Sequence, residues 1–300
     1  MTTTKCLPDN NCRPWRSRIA AAAGLALLTV VTASGQFKRI PGTAQSNMVP
    51  CPVAGYTCYP QSIAAGPNGT AWILGTAQTS EGDYYVYRRD RSKWVKTDGA
   101  GLQISVGIDG YPWVITHLGT IYYWNGSTFA LAPGNGCATS IGVGPASQSG
   151  YPYGTPWIIG CDGSSYTAGT VFQLRSSGPP YYGWLQYSRA FANRIAVSPQ
   201  GVPWEIGPTG VIWYSYNIVT APAGCATSIA VGSSSDPEAG PYGDGWITGC
   251  GNVNNNGAKI FQLQNGTAWV QIPGVASQIS ITPDTGVVWV VTQTGEIFEN

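Results

Sequence analysis

The amino-acid sequence predicts an all-β protein, and three features of its composition carry that prediction. Only 10% of the 300 residues are charged, against roughly 25% in an average globular protein. Gly and Pro occupy 40 and 22 positions, as expected of a chain with many turns, and the 12 Trp and 17 Tyr favour pleated sheets. This composition excludes a mostly helical fold and a doubly wound α/β enzyme. With 43% hydrophobic residues, the chain is also too apolar to be disordered.

Residues 1–35 have the pattern of a secretory signal peptide. Three arginines precede an apolar run over residues 19–31, and small residues follow it. A basic stretch, a short apolar segment and a small-residue exit are typical of such signals. The run is short for a membrane span, which needs about 20 residues, and an uncleaved signal anchor is the alternative. We therefore expect a secreted, extracellular or periplasmic protein that meets a membrane only through this segment.

The remainder of the chain is nearly neutral. The whole sequence has 15 basic and 14 acidic residues, and residues 1–35 hold four of the basic and one of the acidic ones. The rest therefore carries a formal net charge of −2. We find no basic stripe that would neutralise phosphates, so the sequence disfavours nucleic acid as a partner.

The decisive feature of the sequence is a unit that repeats six times. A Trp among β-forming residues recurs every 41 to 47 positions, preceded by a short run around an Ile and followed by an aliphatic–aromatic pair. Each unit reads as a four-stranded antiparallel meander, and that length is typical of a β-propeller blade. We predict a six-bladed β-propeller in which the Trp residues and the pairs fill the spaces between blades. The six tryptophans are Trp72, Trp113, Trp157, Trp204, Trp246 and Trp289, and the pairs are Val86-Tyr87, Ile121-Tyr122, Val171-Phe172, Ile212-Trp213, Ile260-Phe261 and Ile297-Phe298.

The propeller is predicted to occupy residues 36–300 and to be closed by its N-terminal strand. The sixth unit stops before its fourth strand, whereas residues 37–42 match the strand that ends the fifth unit. Pairing of the two chain ends would remove exposed sheet edges, which otherwise invite aggregation. The predicted units cover approximately residues 59–99, 100–134, 135–190, 191–224, 225–274 and 275–300, the last completed by 37–42.

Six cysteines remain after residue 35, and an even number in an exported chain predicts three disulfides. The third and fifth units share Gly-Cys-Ala-Thr-Ser-Ile and a second Cys four residues after the Trp. This repeated spacing predicts two equivalent disulfides and leaves the first two cysteines for each other. The predicted bonds are Cys137–Cys161, Cys225–Cys250 and Cys51–Cys58.

The units over residues 105–134 and 279–298 resemble tectonin repeats, the units of tectonins and tachylectin-type lectins. The matching features are a G-x-D-G turn, a V-W-x-V strand, a G-x-I-Y pair and a closing W-x-x-I-P-G. The resemblance covers residues 37–300 and implies a six-bladed propeller that serves as a secreted or surface lectin. Some members of that family recognise O-methylated or otherwise modified sugars on foreign cells. This chain departs from the family in alternating plain units with long-loop, Cys-bearing ones, so binding residues are not carried over to the latter.

The chemically reactive side chains of the sequence give little support to a catalytic function. The single His, His117, lies in a predicted turn, where we interpret it as solvated. Without a second His or a free Cys, a nucleophilic triad and a His-based metal site are disfavoured. The carboxylates stand singly in turns, and Asp109 and Asp284 are interpreted as turn formers. We therefore expect no enzyme, no cofactor and no metal site.

Binding is better supported, because tyrosines outside the repeat pattern crowd the long loops. Tyr153 and Tyr242 occupy matching Pro-Tyr-Gly segments of the third and fifth units, the latter near Asp244. Tyr123 and Tyr214 follow aliphatic–aromatic pairs in plain units and form a second candidate set, interpreted as facing ligand or solvent. These residues predict a multivalent lectin for cell-surface or foreign glycans, with up to three equivalent weak sites. The alternative is a protein-interaction or adhesion propeller without sugar affinity, since both classes use aromatic-rich loops.

Overall fold

The computed structural model describes residues 37–40, 62–161, 169–178, 181–214, 217–220, 226–233, 243–252, 257–266 and 268–300. These residues form six antiparallel sheets of four strands each, arranged as the blades of a β-propeller. Within these ranges the helical segments are two short 3₁₀ turns, Pro67–Gly69 and Ala146–Gln148. No helix of the described ranges has the length and apolar character needed to cross a membrane.

The strands follow the predicted order of the repeat. Blade 1 contains β2 (Ser62–Ala65), β3 (Ala71–Gln78), β4 (Tyr84–Asp90) and β5 (Lys93–Gly101), and blade 2 contains β6 (Gln103–Val106), β7 (Pro112–Ile115), β8 (Ile121–Trp124) and β9 (Phe129–Leu131). Blade 3 contains β10 (Ala138–Gly144), β11 (Thr155–Gly160), β12 (Gly169–Ser176) and β13 (Tyr182–Ala192), and blade 4 contains β14 (Arg194–Val197), β15 (Pro203–Ile206), β16 (Val211–Tyr214) and β17 (Asn217–Thr220). Blade 5 contains β18 (Ala226–Gly232), β19 (Asp244–Asn252), β20 (Ala258–Gln264) and β21 (Ala268–Ala276), and blade 6 contains β22 (Gln278–Ile281), β23 (Val288–Val291), β24 (Ile297–Glu299) and β1 (Lys38–Arg39).

The core lies between the blades, as the repeat predicts. All six repeat tryptophans are buried, with at most 7% of any of them exposed. At the first boundary, Trp72 and Leu74 of blade 1 pack against Ile104 and Val114 of blade 2. A single meander cannot cover both of its faces, so the apolar residues of each second strand are buried only when the next blade is present.

Polar side chains join the inner strands of neighbouring blades. Gln103 of blade 2 accepts a hydrogen bond from the Ile141 backbone N–H of blade 3, at 3.0 Å. Ser140 of blade 3 accepts one from the Ile195 N–H of blade 4, at 3.2 Å. The free edge of an inner strand carries backbone N–H groups that need partners, and these side chains supply them.

Blade 6 takes its fourth strand from the beginning of the described chain. Lys38 pairs with Glu299 and Arg39 with Phe298 in antiparallel register. The Ile40 N–H donates to the Ile297 carbonyl at 2.9 Å, and the Ile40 side chain is buried. Residues 41 and 42 of the predicted closing segment lie outside the described ranges. That the ring depends on this strand for its closure stays a prediction.

One residue breaks the apolar pattern between the blades. The residue after the repeat Trp is aliphatic in five blades, but in blade 4 it is Glu205, which is only 4% exposed. The cross-strand partners of Glu205 are Ile195 and Trp213, and Ile195 packs in the apolar layer shared with blade 3. Burial raises the pKa of the Glu205 carboxyl to about 7. Among the six blades, blade 4 therefore stands apart in burying a carboxyl at this position.

The predicted disulfide between Cys137 and Cys161 is confirmed, with 5.5 Å between the two Cα atoms. It joins the residue before β10 to the residue after β11, so it links the first two strands of blade 3. Cys51, Cys58 and Cys225 lie outside the described residues, as do the side chain of Cys250 and the expected signal peptide over residues 1–35. The other two disulfides therefore stay predictions.

Candidate functional site

Five tyrosines gather at the boundary between blades 2 and 3. We call them the tyrosine cluster: Tyr111, Tyr123, Tyr151, Tyr153 and Tyr182. Blade 2 contributes one residue from the turn before β7 and one from β8, and blade 3 contributes two from the β10–β11 loop and one from the start of β13. The cluster surrounds the buried ring of Trp113, which two of its members contact.

Ring contacts run through the whole cluster. The Tyr153 ring stacks on that of Tyr123, with 4.9 Å between centroids and 30° between planes. Tyr111 meets Tyr153 edge to face at 5.0 Å, and Tyr182 meets Tyr151 in the same way at 4.8 Å. Offset-stacked and edge-to-face arrangements are the favoured geometries for aromatic pairs. The rings therefore support one another as a rigid group.

Blade 2 holds the loop that carries Tyr151 and Tyr153. The Trp113 indole N–H donates to the Tyr153 carbonyl at 2.7 Å, and the Asp109 carboxylate accepts from the Ala146 N–H at 2.6 Å. The interpretation of Asp109 as a turn former is therefore incomplete, because its side chain ties the turn of one blade to the loop of the next. Asp284 repeats this role by accepting from the Asn68 N–H at 2.7 Å.

The Tyr151 hydroxyl stays protonated and acts as a neutral hydrogen-bonding group. Burial is the main cause that raises the pKa of Tyr151, followed by its hydrogen bond with Tyr123 and by the neighbouring tyrosines. The Tyr182 hydroxyl donates to the Gly150 carbonyl at 3.3 Å. While Tyr151 itself is buried, the other four rings of the cluster are partly exposed. The surface therefore offers apolar ring edges beside hydroxyl groups.

The two predicted candidate sets meet in this cluster. Tyr153 represents the loop set and Tyr123 the plain-blade set, yet the structure places their rings in direct contact. In blade 4, Tyr214 stacks on Trp204 at 4.2 Å and an interplanar angle of 12°. Tyr242, the loop counterpart of Tyr153 in blade 5, lies outside the described residues, and Asp244 begins β19 opposite Gly232.

The residue after each aliphatic–aromatic pair lies directly opposite the repeat Trp of its own blade. Tyr123 pairs with Trp113, Tyr214 with Trp204 and Glu299 with Trp289. In blade 3 the same position holds Gln173, which is only 1% exposed and so faces neither solvent nor an open site. It packs beside Trp157, its cross-strand partner, instead.

At the boundary between blades 6 and 1 the equivalent position is charged. The Arg89 guanidinium lies 4.0 Å from the Glu299 carboxylate and 5.1 Å from the centre of the Trp289 ring. Blade 6 therefore presents an ion pair over its Trp where blades 2 and 4 present a tyrosine. This difference sets blade 6 apart from blades 2 and 4, the other two plain units.

His117 is exposed, as the sequence predicts, but it also contacts a buried carboxylate. The Asp83 carboxylate accepts a hydrogen bond from the His117 backbone N–H at 2.7 Å and lies 3.0 Å from its ring Nδ1. Asp83 is only 4% exposed and belongs to the β3–β4 hairpin of blade 1. With Glu81, the ligand atoms of the three residues lie within 4.8 Å of one another and could hold a metal ion. Both Asp83 oxygens already contact His117, so the pair acts as a clamp between blades 1 and 2.

The similarity of this chain to known proteins lies in its fold. No known family model matches this chain, and no curated protein matches it. A solved structure of the SapL1 lectin in complex with alpha methyl fucoside is 14% identical, with 80% of this chain and 92% of that chain covered and a TM-score of 0.54. A structural genomics protein of unknown function from Bacteroides thetaiotaomicron is 11% identical, with 88% and 74% covered and a TM-score of 0.55. Virginiamycin B lyase from Staphylococcus aureus, solved with quinupristin, is 14% identical, with 88% of this chain and 97% of that chain covered. Its TM-score is only 0.47, too low to support a conclusion. At these identities the likeness supports the β-propeller fold alone.

Proposed function

We propose that this chain is a secreted, non-catalytic carbohydrate-binding protein, a tectonin-type lectin, and that the tyrosine cluster is one of its sugar sites. The observation that carries the proposal is the meeting of Tyr123 and Tyr153, from two blades, in one supported group of partly exposed rings. Sequence motifs of the tectonin type support the family, and a β-propeller of similar fold is a lectin solved with a fucoside.

The chemistry of the cluster suits a sugar. One face of a sugar ring presents C–H groups, which pack on aromatic rings, and its hydroxyls need hydrogen-bonding partners nearby. Tyrosine supplies both an apolar ring and a polar end. Since stacking and hydrogen bonds already fix these rings, little side-chain entropy is lost when a ligand binds.

A methylated sugar fits this surface better than an unmodified one. An O-methyl group adds apolar surface that gains from contact with a ring edge, at about 0.8 kcal/mol for a fully buried carbon. It also removes one hydroxyl donor that would otherwise need a partner. We therefore place O-methylated glycans of cell surfaces first among the candidate ligands.

A glycan array that includes O-methylated sugars tests the proposal. We expect binding by the full chain and clearly weaker binding in both Tyr123→Ala and Tyr153→Ala. Tyr181→Ala is the matched control, because Tyr181 is 72% exposed and lies outside the cluster. An array on which no glycan is bound, or binding that both cluster variants leave unchanged, would contradict the proposed site.

One observation favours the alternative of a protein-interaction or adhesion propeller. The outer strand of blade 3 is 11 residues long and exposes Leu185 and Phe191, at 57% and 59%. A long edge strand with apolar side chains can pair with an extended segment of another protein. An empty glycan array, together with a protein partner that is lost in Leu185→Lys and Phe191→Lys, would favour this function.

A further inference from the structure

The inner strands of the six blades surround a channel of about 300 Å³. In every blade, one residue of the innermost strand lies opposite the second residue after the repeat Trp on the neighbouring strand. Because this register is the same in all six blades, these six residues lie at the same level of the channel. Five of the six are serine or glutamine and the sixth is arginine. In blade order they are Ser62, Gln103, Ser140, Arg194, Ser228 and Gln278.

Among the described residues that line this channel, Arg194 is the one that carries a charge. Its guanidinium donates to the Asn193 carbonyl at 2.9 Å. Of the described residues, none places a carboxylate within ion-pair distance of it, and the buried Glu205 on the neighbouring strand is not its partner. The side chain is accessible from the channel, but the surrounding protein desolvates it and thereby lowers the pKa of Arg194.

Small hydroxyl side chains flank Arg194 on both sides. Ser140 of blade 3 accepts from the Ile195 N–H, which leaves its own hydroxyl hydrogen for another partner. Ser228 of blade 5 lines the channel on the other side. The short side chains leave room for the guanidinium fork, which has five N–H donors. The arrangement therefore combines a cation, unused donors and open volume.

We propose that the channel binds a small oxyanion, a phosphate, sulfate or carboxylate group, on the Arg194 guanidinium with Ser140 and Ser228 as flanking donors. The planar fork of arginine matches two oxygens of such a group. A cation that is partly removed from water and has no counter-charge is unfavourable, and a bound anion relieves that cost. This site lies on the inner strands and is independent of the tyrosine cluster and of the proposed sugar binding.

Calorimetry and thermal melting of the full chain test the proposal. The probes are sodium phosphate, sodium sulfate and sodium acetate, with sodium chloride added to keep the ionic strength constant. We expect one bound anion per chain and a saturable rise in Tm with at least one of the three. Comparison of the probes shows whether a doubly charged group or a carboxylate is preferred.

The key variant is Arg194→Gln, because glutamine occupies the same position in blades 2 and 6 and the fold accepts it there. We expect anion affinity to fall about tenfold or more, as for the loss of charge-assisted hydrogen bonds. Arg194→Lys, which keeps the charge but loses the fork, should retain part of the affinity. Arg175→Gln is the control, since it removes one exposed charge outside the channel. Equal anion effects in the wild-type chain and Arg194→Gln, or the same stabilisation by chloride, would overturn the proposal.

Discussion

The ring of Tyr153 lies 4.9 Å from the ring of Tyr123, and the stack crosses the boundary between blades 3 and 2. Each ring thus helps to fix the other. Removing either one leaves the remaining ring without its neighbour and opens the cluster around Trp113. The proposed sugar site therefore depends on both residues, and they are not two alternative sites.

The stack predicts that substitutions at the two positions are not additive. Tyr123→Ala and Tyr153→Ala should each weaken sugar binding strongly, and the double variant should be little worse than either one. Their coupling in the free energy of unfolding should be about 0.5–1.5 kcal/mol, the usual range for aromatic pairs. A double-mutant cycle by chemical denaturation measures it. Tyr181→Ala combined with Tyr123→Ala is the control and should be additive, whereas an additive result for the stacked pair would refute this account.

Glu205 predicts an unusual dependence of stability on pH. Its carboxyl has an ordinary pKa of 4.5 when unfolded and about 7 when folded. Its contribution to stability is therefore complete below pH 4.5 and is lost as the pH rises through 7. At about 1.4 kcal/mol per pKa unit, the free energy of unfolding falls by about 3 kcal/mol in total, and this fall is complete once the pH is above 7.

Two variants and a control isolate this effect. Glu205→Gln should remove the fall in unfolding free energy between pH 4.5 and 8, and Glu205→Leu should also raise stability at pH 8 by restoring the apolar layer. Asp90→Asn, at an exposed position of β4, should leave the pH profile as it is. Denaturation curves at several pH values give the answer, and a profile unchanged in Glu205→Gln would show that this carboxyl is not responsible.

Features that recur within each unit could be predicted from the sequence. The burial of Trp113, the pairing of four strands per blade and the Cys137–Cys161 bond all depend on residues at fixed spacings along one chain segment. Glu205 was equally visible, as the one break in an otherwise apolar position. Antiparallel register also places Tyr123 opposite Trp113, and this pairing could be predicted from the positions of the two strands in the sequence.

Contacts between blades could not be predicted in the same way. His117 and Asp83 belong to hairpins of different blades, and no local pattern shows which turns meet across a boundary. The stacking of Tyr153 on Tyr123 depends on how the β10–β11 loop folds back over blade 2, which the Trp113 and Asp109 hydrogen bonds determine. Such relations follow from the radial packing of the blades, which the repeat does not encode residue by residue.

Gly119 should be sensitive to substitution because the disulfide of blade 3 packs against it. The residue has a φ of +80°, and an added Cβ would lie 2.6 Å from Cys137 Sγ and 2.8 Å from Cys161 Sγ. Gly119→Ala should therefore lower Tm by more than Gly126→Ala, whose φ is +103° but whose Cβ would have nothing within 4 Å. In a Cys137→Ala, Cys161→Ala background the difference should shrink. Equal penalties for the two glycines would contradict this contact.

The disulfide itself should contribute markedly to stability. Its two cysteines are 24 residues apart, and a loop of that length is worth about 3–4 kcal/mol in the chain-entropy model. Reduction, or the Cys137→Ala, Cys161→Ala pair, should lower the free energy of unfolding accordingly. Non-reducing peptide mapping should also find Cys225–Cys250 and Cys51–Cys58. Free thiols at Cys225 would show that the repeat does not determine the second bond.

Ring closure by the N-terminal strand can be tested through Ile40. Its side chain is 3% exposed and packs in the core shared by blades 6 and 1. Ile40→Ala should cost about 2–4 kcal/mol of unfolding free energy, as for other buried large-to-small changes. Arg39→Gln is the control, because its ion pair with Glu296 lies on the surface and should be worth less than about 1 kcal/mol. Similar small effects of both changes would mean that the propeller does not need this strand.

The number of sugar sites should be two, in place of the three that the alternating loops predict. A tyrosine faces the repeat Trp in blades 2 and 4, whereas Glu299 occupies that position in blade 6. Glu299 forms an ion pair with Arg89, whose guanidinium lies over the Trp289 ring. A charged pair offers no stacking surface for the C–H face of a sugar, so the boundary between blades 6 and 1 should not bind. Calorimetry with the sugar identified on the array should give a stoichiometry of about two, since each tyrosine-bearing boundary contributes one site.

Single and combined variants make that count testable. Tyr123→Ala should reduce the stoichiometry to one, and its combination with Tyr214→Ala should abolish binding. Two sites on one rigid ring can still raise avidity for a repeating surface by about 10²–10⁴-fold, so the single-site variant should lose retention on glycan-coated beads far more than affinity for free sugar. Because the third boundary differs mainly at one position, Glu299→Tyr should bring the stoichiometry towards three. Three equal sites in the wild-type chain would show that the tyrosine opposite the Trp is not what binds the sugar.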